Sequence, residues 1–127
     1  MTMFSIILPC FNAEATIVQT LKSLCGQSFG DWEAICVDDG STDGTVDLVA
    51  AAAHRDPRIR ILPNPGKGPS SARNFGAMTA RGAVIAFCDA DDIWLPSKLA
   101  DLADTFGDPD IDGAYGQIGF FQQDPSD

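Results

Sequence analysis

The chain has 127 residues, the size of one domain with its own hydrophobic core. Its composition, 45% hydrophobic and 20% charged, excludes a disordered protein. The net charge of −10 excludes nucleic acid as a partner, because nucleic-acid phosphates require basic side chains for neutralisation. No apolar stretch approaches the roughly 20 residues that span a bilayer. We therefore expect a single domain over residues 1–127 without a transmembrane segment.

Short apolar runs alternate along the chain with segments of helical periodicity. The predicted strands are Phe4–Leu8, Trp32–Val37, Arg58–Leu62, Ala83–Cys88 and, with looser alternation, Ala114–Phe121. The predicted helices are Ala15–Cys25, a segment from a cap at Ser41 or Thr42 to about His54, about Ser70–Thr79, and Pro96–Phe106. We expect the first strand to end before Pro9, because proline lacks the N–H that a strand donates.

This alternation predicts a Rossmann-type α/β fold with three layers, α/β/α, around a mostly parallel sheet. Crossover connections between parallel strands are nearly always right-handed, so the carboxyl ends of the strands share one edge. Ligands of such folds bind at that edge, in the crevice where the strand order reverses. Four loops are therefore expected to meet there, namely residues 9–12, 38–43, 63–74 and 89–92.

Acidic residues follow two of the predicted strands. Asp89, Asp91 and Asp92 come directly after the fourth strand, and Asp38 and Asp39 end the second. Carboxylates this close repel one another, and their hard oxygens suit Mg²⁺ or Mn²⁺, ions that keep open positions for substrate phosphates. The pattern predicts a site for a metal and a diphosphate. The alternative is that both groups are solvated strand ends or helix caps.

Polar and basic residues in the same loops have two interpretations each. Arg73 is predicted to contact the base or the diphosphate of a nucleotide with its guanidinium fork, and an ion pair with a nearby aspartate is the alternative. Asn12 is either a cap for the first helix or a support for the nucleotide loop. Lys67 is interpreted as a solvated loop charge, the alternative being a point charge that contacts the nucleotide. Ser41 and Asp43 are interpreted as turn and cap residues, the alternative being ligand contacts.

The four cysteines show no metal-binding or redox spacing. Cys36 and Cys88 lie in predicted strands, where a free cysteine behaves as a small hydrophobic residue. We therefore expect reduced thiols and a cytoplasmic location, which is compatible with peripheral attachment to a membrane. Disulfide bonding is the minority alternative.

Four segments together resemble the ordered motifs of family 2 glycosyltransferases. They are residues 6–12 (IILPCFN), 37–43 (VDDGSTD), 72–77 (ARNFGA) and 89–94 (DADDIW), in matching order and spacing. The D-D-G-S and D-x-D pieces are weak signals alone, but four in register are a strong one. The resemblance covers the chain from Phe4 to about Leu102.

The resemblance implies a GT-A fold, a nucleotide-sugar donor (a UDP-sugar is favoured), Mn²⁺ or Mg²⁺, inversion at the anomeric carbon and a role in polysaccharide biosynthesis. Asp38 or Asp39 then hydrogen-bonds the nucleobase, Asp89 meets the ribose, and Asp91 meets the metal with Asp92 beside it. The implied nucleotide-binding residues are Pro9, Phe11, Asn12, Asp38, Asp39, Arg73 and Asp89, and the implied metal ligands are Asp91 and Asp92.

Two other functional classes are open on the sequence. One is a non-catalytic nucleotide-sugar-binding module. The other is a different aspartate and Mg²⁺ fold, a phosphatase of the haloacid dehalogenase type or a receiver domain. Against the phosphatase, Ile93 stands where threonine or valine is expected and the motif follows the fourth strand, not the first. The receiver domain requires a late lysine after its strand, and no suitable lysine is found.

An inverting transfer needs a general base to deprotonate the acceptor hydroxyl. The family places this carboxylate in its acceptor-binding second half, and no segment up to Asp127 matches that motif, so the catalytic base is unassigned. We expect the donor-binding half alone, with the acceptor, a sugar or a lipid-linked glycan, unidentified. The apolar edge at Gly119–Phe121 predicts a homo-oligomer.

Overall fold

The computed structural model describes residues 2–106, and within this range strands and helices alternate without exception. The elements are β1 (Phe4–Cys10), α1 (Ile17–Cys25), β2 (Trp32–Asp38), α2 (Thr45–Arg55), β3 (Ile59–Pro63), α3 (Pro69–Thr79), β4 (Val84–Phe87) and α4 (Lys98–Phe106). The predicted strand Ala114–Phe121 and the oligomer contact expected there lie outside the described residues.

The four strands form one parallel sheet in the order β3-β2-β1-β4. Successive strands therefore move outward from β1 to β3, and the chain then crosses to place β4 on the other side of β1. The strand order reverses between β1 and β4, which creates a crevice at the carboxyl ends of these two central strands. The predicted parallel Rossmann-type sheet is confirmed.

Alternating side chains of each strand face two apolar layers. The larger core packs α1, α2 and α4 against one face of the sheet, around Phe4, Leu8 and Leu99. The other face carries α3, which packs on Ile7, Ile35 and Val37. Helices thus cover both faces, as the three-layer prediction requires. None of the helices within residues 2–106 has the length and apolarity that crossing a membrane requires.

Helix α3 approaches the sheet closely because one of its buried positions is glycine. A Cβ atom built on Gly76 would lie 2.5 Å from Cγ2 of Ile7 and 3.3 Å from Cγ2 of Val37. Gly76 therefore serves close packing between helix and sheet. This contact holds α3 near the carboxyl end of β1, where its first turn reaches the crevice.

The prediction that β1 ends before Pro9 is wrong, since β1 continues to Cys10 with Pro9 opposite Val37. The Ile7 carbonyl accepts from Cys88 N–H on the β4 side, whereas the Cys10 carbonyl accepts from Asp39 N–H on the β2 side. Pro9, two residues after Ile7, directs its nitrogen toward β4, whose last paired residue is Phe87 opposite Ile7. The missing N–H therefore removes no ladder hydrogen bond, and the strand tolerates proline.

The prediction that Ser41 or Thr42 caps α2 is also wrong. Helix α2 begins at Thr45, its N-cap position is Gly44, and the Asp43 carboxylate accepts from Thr45 N–H at 3.0 Å. The Ser41 hydroxyl instead donates to Asp38 Oδ1 at 2.6 Å, and Thr42 N–H donates to Asn12 Oδ1 at 2.8 Å. The loop uses both residues in other hydrogen bonds, so the helix starts two or three residues later than the local pattern indicates.

Candidate functional site

A cavity of about 540 Å³ opens at the point where the strand order reverses. The end of β1, the start of α1, the end of β4 and the first turn of α3 form its walls. The lining residues are Pro9, Cys10, Phe11, Asn12, Ala13, Ala15, Thr16, Asp39, Pro69, Arg73, Asp89, Ala90 and Asp91. The four loops expected at this edge all meet at or beside the cavity, and seven of the nine predicted site residues line it. Asp38 and Asp92 lie outside this lining.

The acidic turn after β4 concentrates negative charge at one wall of the cavity. One carboxylate oxygen from each of Asp89, Asp91 and Asp92 lies within 4.8 Å of the others. The turn is closed by Asp92 N–H, which donates to the Asp89 carbonyl at 3.0 Å. Partial burial, followed by repulsion from Asp89 and Asp91, raises the pKa of Asp92 above its usual value. Three hard oxygen donors under mutual repulsion fit a divalent cation such as Mg²⁺ or Mn²⁺.

Two hydroxyl groups, one at the N-cap of α1 and one within it, hold this acidic turn in place. The hydroxyls of Thr16 and Thr20 both donate to the Ala90 carbonyl, at 3.0 and 2.9 Å. Thr20 is fully buried, although it lies in a helix whose other buried residues are apolar. The sequence does not predict this role. Threonines four residues apart on the buried face of a helix were the available signal, but nothing in the sequence names their partner.

Arg73 provides positive charge beside the acidic turn. It projects from the first turns of α3, and its guanidinium lies 3.9 Å from Asp89 Oδ1. Of the described residues that line the cavity, Arg73 alone is basic. The ion pair with Asp89 holds the Arg73 guanidinium at the cavity wall, so the two interpretations of Arg73 are compatible. A half-exposed pair of this kind leaves the arginine free to bind an anionic ligand.

The two aspartates that end β2 have different environments. Asp39 lines the cavity, and its carboxylate accepts from Asn64 Nδ2 at 2.9 Å and from Gly68 N–H at 3.1 Å. An ionised carboxylate offers about four acceptor positions, so Asp39 retains capacity for a ligand. The Asp38 carboxylate, by contrast, accepts from Gly40 N–H and from both the N–H and the hydroxyl of Ser41.

Phe11 and Asn12 form the wall at the end of β1. The Phe11 side chain is 60% exposed, which is unusual for a phenylalanine beside a core strand. Asn12 has φ of +47°, in the left-handed region that asparagine adopts more readily than most residues. Asn12 does not cap α1, whose N-cap position is Thr16. Its side chain holds the neighbouring loop, which favours the second of the two interpretations.

Several other residues with aromatic, basic or thiol side chains have structural roles or lie at the surface. Trp94 is buried in the larger core beside Leu99, and the Lys98 ammonium lies over its ring at 4.8 Å. Burial lowers the pKa of Lys98. Lys67 and His54 are exposed and do not line the cavity. Cys36 and Cys88 are buried, as predicted. A hydrogen bond with Cys10, together with burial, raises the pKa of Cys36 well above its usual value, and burial does the same for the pKa of Cys88.

Comparison with known protein families, sequences and solved structures finds the same class of protein each time. Residues 5–127 match the family described as glycosyl transferase family 2. The *Escherichia coli* UDP-Glc:alpha-D-GlcNAc-diphosphoundecaprenol beta-1,3-glucosyltransferase WfgD is 43% identical over 96 residues, which are 75% of this chain and 37% of that protein.

Solved structures agree with this assignment. *S. aureus* TarS 1–349 in complex with UDP-GlcNAc superimposes with a TM-score of 0.77 and 32% identity over 84% of this chain and 31% of that one. The *Pyrobaculum calidifontis* mannosyltransferase PcManGT in complex with GDP-Man and Mn²⁺ also gives a TM-score of 0.77, with 27% identity over 84% of this chain and 32% of that one. The chain thus spans well under half the length of these relatives. Its parallel sheet is the N-terminal part of a GT-A fold, and the chain belongs to glycosyl transferase family 2.

Proposed function

We propose that this chain is the donor-binding part of a metal-dependent, inverting glycosyltransferase that uses a UDP-sugar. The observation that carries the proposal is that the acidic turn and Arg73 lie side by side at one cavity, at the point of strand reversal. A nucleoside diphosphate needs a cation and an arginine for its phosphates and a polar wall for its base. The WfgD name and the TarS complex, which both refer to a UDP-sugar, support the choice of donor.

The ion in this proposal is Mn²⁺ or Mg²⁺, held by Asp91 and Asp92. Its chemistry would be Lewis-acid stabilisation of the charge that develops on the departing diphosphate. The protein's own residues bind and orient the donor: Arg73 contacts the diphosphate and Asp89 the ribose. The mannosyltransferase complex with Mn²⁺ supports a divalent ion in a fold of this kind.

Recognition of the base is assigned to Asp39, with Pro9, Phe11 and Asn12 as the adjacent wall. Uracil presents an N–H that an ionised carboxylate accepts, and such a charge-assisted hydrogen bond is stronger than a neutral one. Asp39 lines the cavity, whereas the Asp38 carboxylate is engaged in its own turn. Adenine presents no N–H in an equivalent position, so the assignment implies preference for UDP over ADP.

The wider setting is part of the same proposal. Residues 1–127 act as one domain, the acceptor is a sugar or a lipid-linked glycan, and the protein works in the cytoplasm at a membrane surface. The WfgD name, which refers to a diphosphoundecaprenol-linked acceptor, supports a lipid-linked glycan. Free cysteines at positions 10, 25, 36 and 88 support a reducing compartment. We assign none of the residues that line the cavity as the general base.

Calorimetric titration of the purified chain with UDP, in Mn²⁺ and in a chelator, tests the proposal. We expect Mn²⁺-dependent binding that is tighter for UDP than for ADP. The Asp91→Asn variant should bind UDP in Mn²⁺ more than ~10-fold more weakly than the unchanged chain. About ten-fold is the lower end of what loss of a residue that only supports a metal ligand costs. Saturation with UDP and Mn²⁺ at 100 times the dissociation constant should stabilise the fold by about 2.7 kcal/mol.

The matched control is Asp101→Asn, which removes an exposed carboxylate from the first turn of α4, outside the cavity. It should bind UDP as the unchanged chain does. Equal binding of UDP with and without the chelator would contradict the metal-bridged site. Equal binding of UDP and ADP would contradict base recognition by Asp39 and leave the metal site standing.

A further inference from the structure

We propose that Asp38 and Ser41 are positioning residues, which shape the nucleotide cavity through Asn12 without touching the ligand. The inference rests on the proposed function, because it assigns a role within the same nucleotide site. It is carried by one chain of hydrogen bonds that joins the turn after β2 to the loop after β1.

The chain of hydrogen bonds begins at Asp38, the last residue of β2. Asp38 Oδ2 accepts from Gly40 N–H at 3.1 Å and from Ser41 N–H at 3.0 Å. Gly40 has φ of +85°, a conformation that favours glycine, so the turn is tight. Asp38 Oδ1 accepts from the Ser41 hydroxyl at 2.6 Å. The carboxylate therefore determines both the backbone of the turn and the direction in which the Ser41 hydroxyl donates.

The Ser41 hydroxyl oxygen then acts on the other loop. Because its proton is donated to Asp38, its lone pairs are available, and it accepts from Asn12 N–H at 2.9 Å. In the reverse direction Asn12 Oδ1 accepts from Thr42 N–H at 2.8 Å. Residues about 30 positions apart in sequence are thus joined by two reciprocal hydrogen bonds, which we call the loop clasp (Asn12 with Ser41 and Thr42).

Two further hydrogen bonds flank the loop clasp, from Asp39 N–H to the Cys10 carbonyl and from Ala13 N–H to the Thr45 hydroxyl, both at 2.8 Å. Between them the loop clasp holds Phe11 and Asn12 at the cavity. Both residues are exposed, and the Phe11 side chain is 60% exposed, so core packing does not determine their position. Asn12 also holds a left-handed backbone conformation, which most side chains disfavour. The hydrogen bonds to Ser41 and Thr42 compensate for that conformation. Since Phe11 and Asn12 line the cavity whereas Asp38 and Ser41 do not, Asp38 and Ser41 affect the ligand through this loop.

Two measurements on four chains test the proposal. The chains are the unchanged protein, Ser41→Ala, Ser41→Thr and the matched control Ser28→Ala, which removes another serine hydroxyl, one that donates to the Pro96 carbonyl at 3.2 Å away from the cavity. The first measurement is amide hydrogen exchange at Asn12 and Thr42 without nucleotide. The second is calorimetric titration with UDP in Mn²⁺ at a temperature where every variant is folded.

We expect faster exchange at Asn12 and a roughly three- to tenfold loss of UDP affinity in Ser41→Ala, the range that corresponds to one lost hydrogen bond. Ser41→Thr, which retains a hydroxyl, should recover most of both. Ser28→Ala should change neither. A general loss of stability would not produce this pattern, because affinity is measured on folded protein and the threonine variant recovers it.

A double-mutant cycle strengthens the test. Asn12→Gly retains access to the left-handed conformation and removes the Oδ1 acceptor. Because both substitutions act on one clasp, the loss of UDP affinity in the double variant should be smaller than the sum of the losses in Ser41→Ala and Asn12→Gly. Unchanged exchange at Asn12 in Ser41→Ala would overturn the loop clasp. Faster exchange with unchanged UDP affinity would overturn the positioning role. If the unchanged protein did not bind UDP in Mn²⁺, the proposed function would be contradicted, and so would the role of Asp38 and Ser41 in nucleotide binding. The hydrogen-exchange measurement would still test the loop clasp by itself.

Discussion

The two ends of the same sheet treat carboxylates in opposite ways. At the amino ends of the strands Glu33 is only 6% exposed, and its oxygens accept from the Ser5 hydroxyl at 2.6 Å, Arg81 N–H at 2.6 Å and the Arg60 guanidinium at 3.2 Å. At the carboxyl ends Asp89, Asp91 and Asp92 crowd together, with Arg73 at 3.9 Å as their nearest ion pair within residues 2–106. One end satisfies its buried charge within the fold, and the other leaves charge for a ligand to satisfy.

The pKa shifts at the two ends follow this difference. Burial acts to raise the pKa of Glu33, but the hydrogen bonds from Ser5 and Arg81 and the charge of Arg60 outweigh it, so the pKa lies below its usual value. Burial also raises the pKa of Asp92, and there Asp89 and Asp91 add to the effect. A satisfied carboxylate stabilises the fold as an anion, whereas a crowded one is held as an anion at a cost. Three substitutions test this comparison.

The largest effect is expected at the amino end. Glu33→Ala removes the partner of Arg60, whose side chain is 26% exposed, and leaves Ser5 and Arg81 without their acceptor. Breaking a buried ion pair on one side costs about 3–5 kcal/mol of unfolding free energy. Chemical denaturation measures the loss. The control is Glu14→Ala at an exposed glutamate, where a change within about 0.5 kcal/mol is expected. Similar losses of unfolding free energy in both variants would contradict a stabilising role for the hydrogen bonds and the ion pair of Glu33.

A smaller effect is expected in the pH dependence of stability. Because the folded pKa of Glu33 lies below the unfolded value of 4.5, its contribution is present above about pH 4.5 and is lost as the pH falls through the folded pKa. The difference in unfolding free energy between the unchanged chain and Glu33→Gln should therefore narrow on acidification. Asp56, whose pKa is about 2 because Arg58 donates to it, loses its contribution equally in both chains, so it cancels. A constant difference across the acid range would contradict the assignment.

The smallest effect, of opposite sign, is expected at the carboxyl end. Asp92→Asn removes one of three repelling charges and keeps an oxygen that can accept from Asp89 N–H, now at 3.3 Å. Without metal the variant should melt at a slightly higher temperature than the unchanged chain. With Mn²⁺ and UDP the order should reverse, because Asp92 is one of the two proposed metal ligands. Asp104→Asn, at an exposed carboxylate of α4, serves as the control for charge alone. A lower melting temperature for Asp92→Asn without metal would contradict the comparison.

The acidic turn was predictable because its signal is local. An apolar run that ends in three aspartates must release them at a strand end, and the parallel arrangement places that end beside β1. The partners of Glu33 were not predictable. Ser5, Arg60 and Arg81 come from separate elements, and no spacing in the sequence relates them to one glutamate.

The sequence by itself determined the order of strands and helices, the parallel sheet, the edge at which the acids emerge and the family. These follow from residue periodicity and from rules of chain connection, which apply without knowledge of which residues are in contact. Only the tertiary structure decided which of two adjacent aspartates faces the cavity, where α2 begins and what holds Asn12. The physical reason is that each of these depends on hydrogen bonds between loops about 30 residues apart, which compete with the local turn and cap preferences that a sequence displays.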